Sequence, residues 1–231
     1  MRKFILGLML FVCACAQKDT VFIGQEFVGL PYAESPLGEG FAPDADPLIR
    51  TDAFDCVTFV ETVLANSDVE KLNQIRYKNA KVDFLERNHF VETDWLQNNA
   101  DIVKNVSANY GKTAIRSVQI DKKNWLQKVH NIDANFIPVN VKLEYLPYSE
   151  LKQINNEKEL VVLFVADNPK MRDKIGTDLA IMHMGFLLPN GVLRHASSER
   201  GCVVDVDFWE YAQQRAQSKV NIGIILLEIL Q

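Results

Sequence analysis

A hairpin near the C-terminus constrains the fold of this chain more than any other stretch. Apolar residues run from 180 to 188 and again from 192 to 197, and Pro189, Asn190 and Gly191 separate the two runs. These residues suit a three-residue loop, with proline first in a type I turn and glycine at the left-handed bulge position. The spacing therefore predicts an antiparallel pair of buried strands.

The length of this loop fixes the relative position of two histidines. With three loop residues, Leu188 faces Val192, and His183 and His195 lie on one face of the hairpin as diagonal neighbours. A two-residue loop would put them on opposite faces, because a shift of one residue reverses every side chain. Gly185 lies opposite His195 and leaves room for that ring to lean toward His183. The sequence therefore predicts a pair of neighbouring imidazoles.

The remaining apolar runs predict an α+β fold, in which a helix packs on an antiparallel sheet made mainly of C-terminal strands. Further strands are predicted at 113–120, 139–145, 160–166, 202–206 and 220–230. Helices are predicted from Thr93 or Asp94 through Val106, over 121–129, from Ser149, and from Asp207 through Gln217. Without a repeat or a low-complexity linker, residues 15–231 are predicted to form one domain, with accessory elements from about 67 to 160 that wall a groove.

A cysteine lies at the start of another predicted helix, in the stretch Ala-Phe-Asp-Cys-Val-Thr-Phe-Val-Glu at 53–61. Asp55 suits the N-cap, since its carboxylate can accept a bond from an unpaired backbone N–H. Cys56 then lies in the first turn, where the helix dipole is expected to lower the pKa of the thiol. This setting favours a nucleophile, although a buried cysteine is also an ordinary small core residue. The face expected to be buried consists of Val57, Val60, Val63 and Leu64.

The N-terminus has the pattern of an export signal. Arg2 and Lys3 precede an apolar run from 4 to 12, which is too short to span a bilayer. We predict that residues 1–14 are removed and that Cys15 is lipidated, because Val-Cys-Ala-Cys at 12–15 resembles a bacterial lipobox. Ordinary cleavage at the small residues 14–16 is the alternative. Either route exports the protein to the periplasm, and lipidation would anchor it to a membrane.

Charge and cysteine content narrow the possible functions. A net charge of -5 without a basic stripe argues against a nucleic-acid partner. Export leaves only Cys56 and Cys202 in the folded domain, and in an oxidising compartment these two could form a disulfide. If Cys56 is instead a nucleophile, Cys202 is expected to be a buried, unpaired strand residue.

Other residues could border a site around the cysteine. Tyr32 precedes a turn-rich loop that ends just before the cysteine helix, so its ring could lie over the thiol or simply anchor the loop. Arg87, His89 and Trp95 could line a sugar or peptide groove, or could equally be a surface turn beside a core tryptophan. The spacing alone does not separate these interpretations.

Two histidines alone do not make a catalytic zinc site, which usually has three protein ligands. Asp178 and Cys56 are the conceivable third ligands, yet neither belongs to a clear ligand cluster in the sequence. We therefore predict no metal and no cofactor, with metal binding as a minor alternative.

Three segments together resemble the NlpC family of papain-like cysteine peptidases, which act on bacterial cell wall. They are Phe-Asp-Cys-Val-Thr-Phe-Val at 54–60, His-Met-Gly-Phe at 183–186 and His-Ala-Ser-Ser at 195–198. The resemblance covers essentially the whole chain after the signal. Residues 55–61, 87–89 and 94–99 are most similar to an amidase-like branch long described as a domain of unknown function. The common motif has Ser-Gly after the cysteine, where this chain has Val57-Thr58, and this departure puts a generic endopeptidase specificity in doubt.

The resemblance implies an N-acetylmuramoyl-L-alanine amidase that cuts peptidoglycan fragments, including 1,6-anhydro muropeptides, without a cofactor. Cys56 would be the nucleophile that forms a thioester, His183 the general base, and His195 the residue that orients it. The residues expected to contact substrate are Tyr32, Asp55, Arg87, His89 and Trp95.

Two alternatives remain open from the sequence. One is a D,L-endopeptidase that cuts the stem peptide of peptidoglycan with the same three residues and a different groove. The other is a non-catalytic, exported, wall-binding lipoprotein in which Cys56 is disulfide-bonded to Cys202.

Overall fold

Eight strands form one antiparallel sheet in the computed structural model of this protein, which describes residues 22–230. The strands are β1 (Val103–Asn105), β2 (Ala114–Ile120), β3 (Val139–Pro147), β4 (Leu160–Ala166), β5 (Ile181–Leu187), β6 (Val192–Ser197), β7 (Cys202–Asp207) and β8 (Asn221–Ile229). Their order is β2-β3-β8-β4-β5-β6-β7, and β1 also pairs with β8. The fold is therefore α+β, as predicted.

Six helices accompany the sheet: α1 (Cys56–Leu64), α2 (Val69–Arg76), α3 (Leu96–Asn98), α4 (Lys122–Trp125), α5 (Pro169–Ile175) and α6 (Phe208–Ala216). Wider helical turns at Val91–Trp95 and Leu126–His130 adjoin α3 and α4. No helix within residues 22–230 has the length and apolar character needed to cross a membrane. The predicted signal at 1–14 and the lipidated Cys15 lie outside the described residues.

The two faces of the sheet carry different helices. One core joins α1, through Phe59 and Val60, to Leu163 and Phe186 on the sheet. The other core includes Phe208 of α6, with Val162, Phe164 and Leu187 on the sheet. Strand β4 lies between β5 and β8 and is buried along its whole length, which explains its uninterrupted apolar sequence.

Helix α1 is buried more completely than its sequence pattern predicts. The pattern suggested one apolar face, yet every residue from Thr58 to Val63 is buried, while Val57 and Leu64 are only half-buried. The reason is that α1 packs against β5, β6 and α2 and also against the segment before it, where Phe27 and Phe54 meet the Phe59 ring edge-on.

The middle of the chain differs from the prediction in two ways. The long helix expected through Val106 is absent; the helical turn begins at Val91, α3 ends at Asn98, and Val103–Asn105 pairs with β8 as a strand. Ser149 lies inside a short 3-10 turn and does not cap a helix. The segment treated as accessory also supplies β1, β2 and β3, so it is part of the main sheet.

The C-terminal hairpin has the predicted register. Phe186 pairs with Arg194, and the Leu188 N–H donates to the Val192 carbonyl at 2.8 Å. Gly191 closes the loop at φ +78°, a conformation that favours glycine. A Cβ atom at Gly185 would lie only 2.8 Å from His195 Cβ, so the missing side chain is what lets the two strands approach.

The strands of this hairpin separate beyond Phe186. Pairing of β5 with β6 stops at Phe186 and Arg194, whereas β4 stays paired with β5 as far as Ile181, and β6 stays paired with β7 as far as Ser197. The sheet is therefore open between the two histidine-bearing segments, on the flank where α1 contacts both strands.

Candidate active site

A complete capping box fixes the start of α1. The Thr58 N–H donates to the Asp55 carboxylate at 2.7 Å, and the Asp55 N–H donates to the Thr58 hydroxyl at 3.0 Å. The second carboxylate oxygen accepts the Ser35 N–H at 3.2 Å. Asp55 is thus occupied by structural bonds, and Cys56 is held as the first helical residue, as predicted.

The pKa of the Cys56 thiol is shifted upward, whereas the sequence predicted a lowered pKa. Burial raises it to about 12, and the neighbouring Asp55 charge adds to the rise. Backbone groups of Met184, Cys56 and Val57 oppose the shift without overcoming it. The thiol is therefore neutral at pH 7, because loss of hydration outweighs the favourable helix terminus.

This environment predicts slow alkylation of Cys56. The rate of reaction with iodoacetamide should rise about tenfold per pH unit from pH 7 to pH 9 without a plateau, since only the thiolate reacts and its fraction is still rising. Mass spectrometry of peptides alkylated for timed intervals would measure the rate for Cys56 separately from that for Cys202. A plateau below pH 8 would contradict the raised pKa.

The two histidines are hydrogen-bonded directly to each other. His183 Nε2 and His195 Nδ1 are 2.7 Å apart, and the rings meet edge-on with centroids separated by 4.8 Å. If His183 donates this bond, its Nδ1 is free to accept a proton from a thiol. Within residues 22–230, Cys56 has no hydrogen bond to either ring; its link to β5 is the Met184 backbone, one residue after His183. The predicted pair is therefore present, and Cys56 lies next to the backbone of the strand that carries His183.

Both imidazoles are neutral at pH 7. Burial is the main cause for each, lowering the pKa of His183 well below 6.5 and that of His195 to about 4. The Arg215 charge contributes to both shifts, while Asp205 partly opposes the shift of His195. A neutral imidazole can accept a proton, which is the state a general base requires.

Helix α6 supplies two site residues that the sequence analysis missed. The Tyr211 ring lies 5.0 Å from the ring of His195 and 6.2 Å from that of His183, measured between centroids. The Arg215 guanidinium lies 5.9 Å from the centroids of both Tyr211 and Phe164. Tyr211 and Arg215 are four residues apart and so share one helix face, a signal that becomes informative only once α6 is known to face the histidines.

Removal of the Arg215 charge should raise the pKa of both histidines. The charged or titratable groups facing the pair are Arg215 and Tyr211 from α6 and Asp205 from β7. In Arg215→Gln, protonation no longer places a second positive charge beside the first, so NMR titration of the ring protons should show both pKa values at higher pH. Arg172→Gln, which alters an arginine paired with Asp178, is the control. Unchanged values in Arg215→Gln would rule out the electrostatic contribution.

Tyr32 lies close to the start of α1. It bridges to Phe54 next to Asp55, and its N–H donates to the Gly201 carbonyl at 2.8 Å. Burial, together with the charges of Cys56 and Asp55, raises the pKa of its hydroxyl to about 12. The phenol is therefore a neutral hydrogen-bond donor near the thiol.

Asp55, Arg87 and His89 line one cavity of about 150 Å³ beside the start of α1. Arg87 binds Glu39 and Asp44, with nitrogen–oxygen distances of 2.6 and 2.8 Å, and so holds the loop before α1. His89 Nε2 lies 2.7 Å from the Phe84 carbonyl, and burial followed by the Lys122 charge holds its pKa well below 6.5. We refer to this space as the Asp55 cavity.

The predicted role of Trp95 is wrong. Its side chain has 0% exposure and belongs to the core beside α1, so it cannot line a groove. Cys202 also differs from expectation: it starts β7 and is unpaired, but it is half-buried instead of buried. Cys56 is likewise a free thiol, so the structure gives no support to the disulfide alternative.

The zinc alternative also lacks support. Asp178 is occupied by Arg172, at 2.6 Å, and by the Gln119 N–H, at 2.9 Å. Across residues 22–230, no three His, Cys, Asp or Glu side chains converge in a way that could hold a metal ion.

Comparisons with known proteins agree with this fold. A family model described as AmiA-like, N-acetylmuramoyl-L-alanine amidase-like, matches residues 22–220. A Legionella pneumophila protein assigned to the family model DUF1460 aligns with a TM-score of 0.82 at 26% identity, over 90% of this chain and 87% of its own. No curated protein matches the sequence.

Two more distant structures share the fold. An N-acetylmuramoyl-L-alanine amidase from Bacteroides uniformis aligns with a TM-score of 0.68 at 20% identity, over 90% of this chain and 97% of its own. A Bacteroides fragilis protein provisionally named a xylanase aligns with a TM-score of 0.66 at 21% identity, over 89% and 99% of the two chains. The two names differ while the fold is shared, so the fold alone does not identify a substrate.

Proposed function

Because this chain belongs to the AmiA-like, N-acetylmuramoyl-L-alanine amidase-like family, we propose that it is a cysteine-dependent hydrolase of the amide bond between the muramoyl lactyl group and L-alanine. The proposal includes the papain-like arrangement of the NlpC superfamily. The observation that carries it is the 2.7 Å contact between His183 and His195 at the opening of the sheet, beside the helix that begins with Cys56. Peptidoglycan fragments, including anhydro muropeptides, are the substrates.

In the proposed mechanism, His183 Nδ1 takes the Cys56 proton as sulfur bonds to the amide carbonyl carbon. A neutral thiol and a neutral imidazole favour this coupled transfer over a preformed ion pair. A small movement of the thiol toward His183 on substrate binding would complete the geometry, since catalytic bonds often tighten only in the complex. His195 accepts the Nε2–H of His183 and keeps it in the required tautomer.

The oxyanion that forms needs fixed donors. N–H groups in the first turn of a helix have no intrahelical partner, so the Cys56 N–H is suited to this role, and the neutral Tyr32 hydroxyl is a second donor in range of the site. Collapse of the intermediate breaks the C–N bond, and protonated His183 gives its proton to the departing amine. Water then attacks the thioester, releasing the lactyl carboxylate and restoring the thiol.

Product masses test this proposal directly. Purified muropeptides with anhydro and with reducing-end muramic acid would be incubated with the protein and analysed by mass spectrometry. Release of an intact stem peptide beginning with L-alanine, together with the free sugar acid, is the expected result. Cleavage within the stem would instead establish an endopeptidase, and no cleavage of either substrate would overturn the enzymatic proposal.

We also propose that the protein is exported and anchored in the periplasm through a lipid on Cys15. The support is the sequence pattern at the N-terminus, where Val-Cys-Ala-Cys at 12–15 follows a short apolar run and resembles a bacterial lipobox. Mass spectrometry of the mature N-terminus would show diacylglycerol on Cys15, and an unmodified N-terminus after residue 16 would contradict the anchor.

A further inference from the structure

A second cavity adjoins the Asp55 cavity and has no part in the mechanism above. It measures about 200 Å³ and shares the lining residues Arg87 and Asn88 with its neighbour, so the two cavities are adjacent. Asp94, Gln97 and Asn98 also line it. Two stretches singled out in the sequence, 87–89 and 94–99, therefore meet at this space, which we call the Gln97 cavity.

The Gln97 cavity combines amide groups with an apolar rim. The exposed Gln97 and Asn98 carboxamides lie at its wall, where Asn98 donates to Asn88. Its rim includes Ile137 and Val139, which are 83% and 44% exposed and are among the most exposed large apolar side chains between residues 22 and 230. Exposed apolar groups next to exposed carboxamides are a common sign of a binding groove.

The ion pairs around this cavity leave one lysine without a carboxylate partner. Glu39 and Asp44 neutralise Arg87, Asp94 pairs with Lys122 at 3.2 Å, and Lys81 pairs with Glu86 at 3.3 Å. Lys78 also lines the cavity, is exposed, and has no ion-pair partner in the part of the chain that the structure describes. Lys78 is therefore the lysine on this cavity whose ammonium is free to bind a carboxylate of a ligand.

We propose that the Gln97 cavity is the peptide-side subsite, which binds the acidic stem peptide beyond L-alanine. This rests on the proposed function. A muramoyl group whose carboxyl is tied up in the amide is neutral, whereas the stem carries free carboxylates. Lys78 binds one of these carboxylates, Gln97 and Asn98 bind the peptide backbone, and the rim of Ile137 and Val139 covers aliphatic parts of the stem.

Charge reversal at Lys78 tests the subsite, because it should affect a substrate with a long stem peptide and not a short one. Kinetics would be measured on N-acetylmuramoyl-L-alanine and on the same compound carrying an acidic tetrapeptide stem. Lys78→Glu should lower kcat/KM about fivefold or more for the long substrate, mainly through KM, and leave the short one unchanged, since one exposed charge contact contributes up to about 1 kcal/mol. Lys71→Glu, an equal reversal on the exposed surface of α2, should change neither.

A binding measurement separates failure of the subsite from failure of the proposed function. NMR of the Cys56→Ala protein, titrated with the free acidic tetrapeptide, should shift the backbone signals of Lys78, Gln97 and Asn98. Shifts at these residues from a protein whose wild type cleaves neither substrate would support the subsite and overturn the amidase. Absence of these shifts, or equal losses on short and long substrates in Lys78→Glu, would overturn the subsite.

Discussion

Cys56→Ala is expected to lower the rate of amide hydrolysis by about 10⁴- to 10⁶-fold, the range found when the nucleophile of a hydrolytic triad is removed. The reason is that no other thiol lies at the start of α1, and the mechanism requires a covalent bond to sulfur. Stability should change little, because alanine fits the first helical turn and the capping box between Asp55 and Thr58 stays intact. Release of stem peptide, followed by mass spectrometry, measures the rate.

Cys202→Ala is the matched control for this experiment. Cys202 is the other free thiol among the described residues, is half-buried, and lies at the start of β7, where its sulfur lies 3.7 Å from the Arg200 carbonyl oxygen. Its removal should leave the rate within about twofold of wild type, as expected of a change that touches no reacting group. Full activity in Cys56→Ala would exclude this residue as the nucleophile, and equal losses in both variants would indicate a structural role for the thiols.

Local signals in the sequence were sufficient to predict the part of the site that lies on the C-terminal hairpin. A loop of three residues determines the register, and the register determines that His183 and His195 share a face. The capping box at Asp55 is equally local, because its partners are three residues apart. These features depend on the residue preferences of turns and helix caps, which involve neighbouring residues and can be recognised in the sequence itself.

Features that depend on distant packing could not be predicted in this way. The pKa of Cys56 is set by the burial of α1, which results from its contacts with β5, β6 and α2. The pattern from Val103 to Val106 fits a helix, but pairing with β8 makes Val103–Asn105 a strand. Trp95 looked like a groove residue because no local signal separates a core tryptophan from a binding one. In each case a tertiary contact overrides the local pattern.

Arg76→Ala is expected to destabilise the fold by about 3–5 kcal/mol, the usual cost of leaving one member of a buried ion pair alone. Arg76 on α2 bonds to Glu61 on α1 at 2.8 Å, and their side chains are only 5% and 3% exposed. Without Arg76, the carboxyl of Glu61 remains buried without a cationic partner, on the same helix that carries Cys56. Urea unfolding followed by circular dichroism would measure the free energy of unfolding.

The pair Arg50–Asp52 supplies a matched control, because it has the same 2.8 Å separation but side chains that are 33% and 73% exposed. Arg50→Ala should cost at most about 1 kcal/mol. The double variant Arg76→Met/Glu61→Leu should recover much of the stability lost in Arg76→Ala, since apolar side chains avoid the burial of a charge. Equal costs for Arg76→Ala and Arg50→Ala would show that burial does not govern this pair.

The loss of stability in Arg76→Ala should also depend on pH, and this dependence is a second test of the buried ion pair. Burial already raises the pKa of Glu61, even with Arg76 present to oppose the shift, and loss of that charge raises it further. A carboxyl whose pKa is higher in the folded than in the unfolded state contributes stability below the unfolded pKa, and that contribution disappears as pH rises through the folded pKa. The deficit of Arg76→Ala relative to wild type should therefore be smaller at pH 5 than at pH 8. A deficit independent of pH would mean that lost packing, and not the buried charge, holds α1 and α2 together.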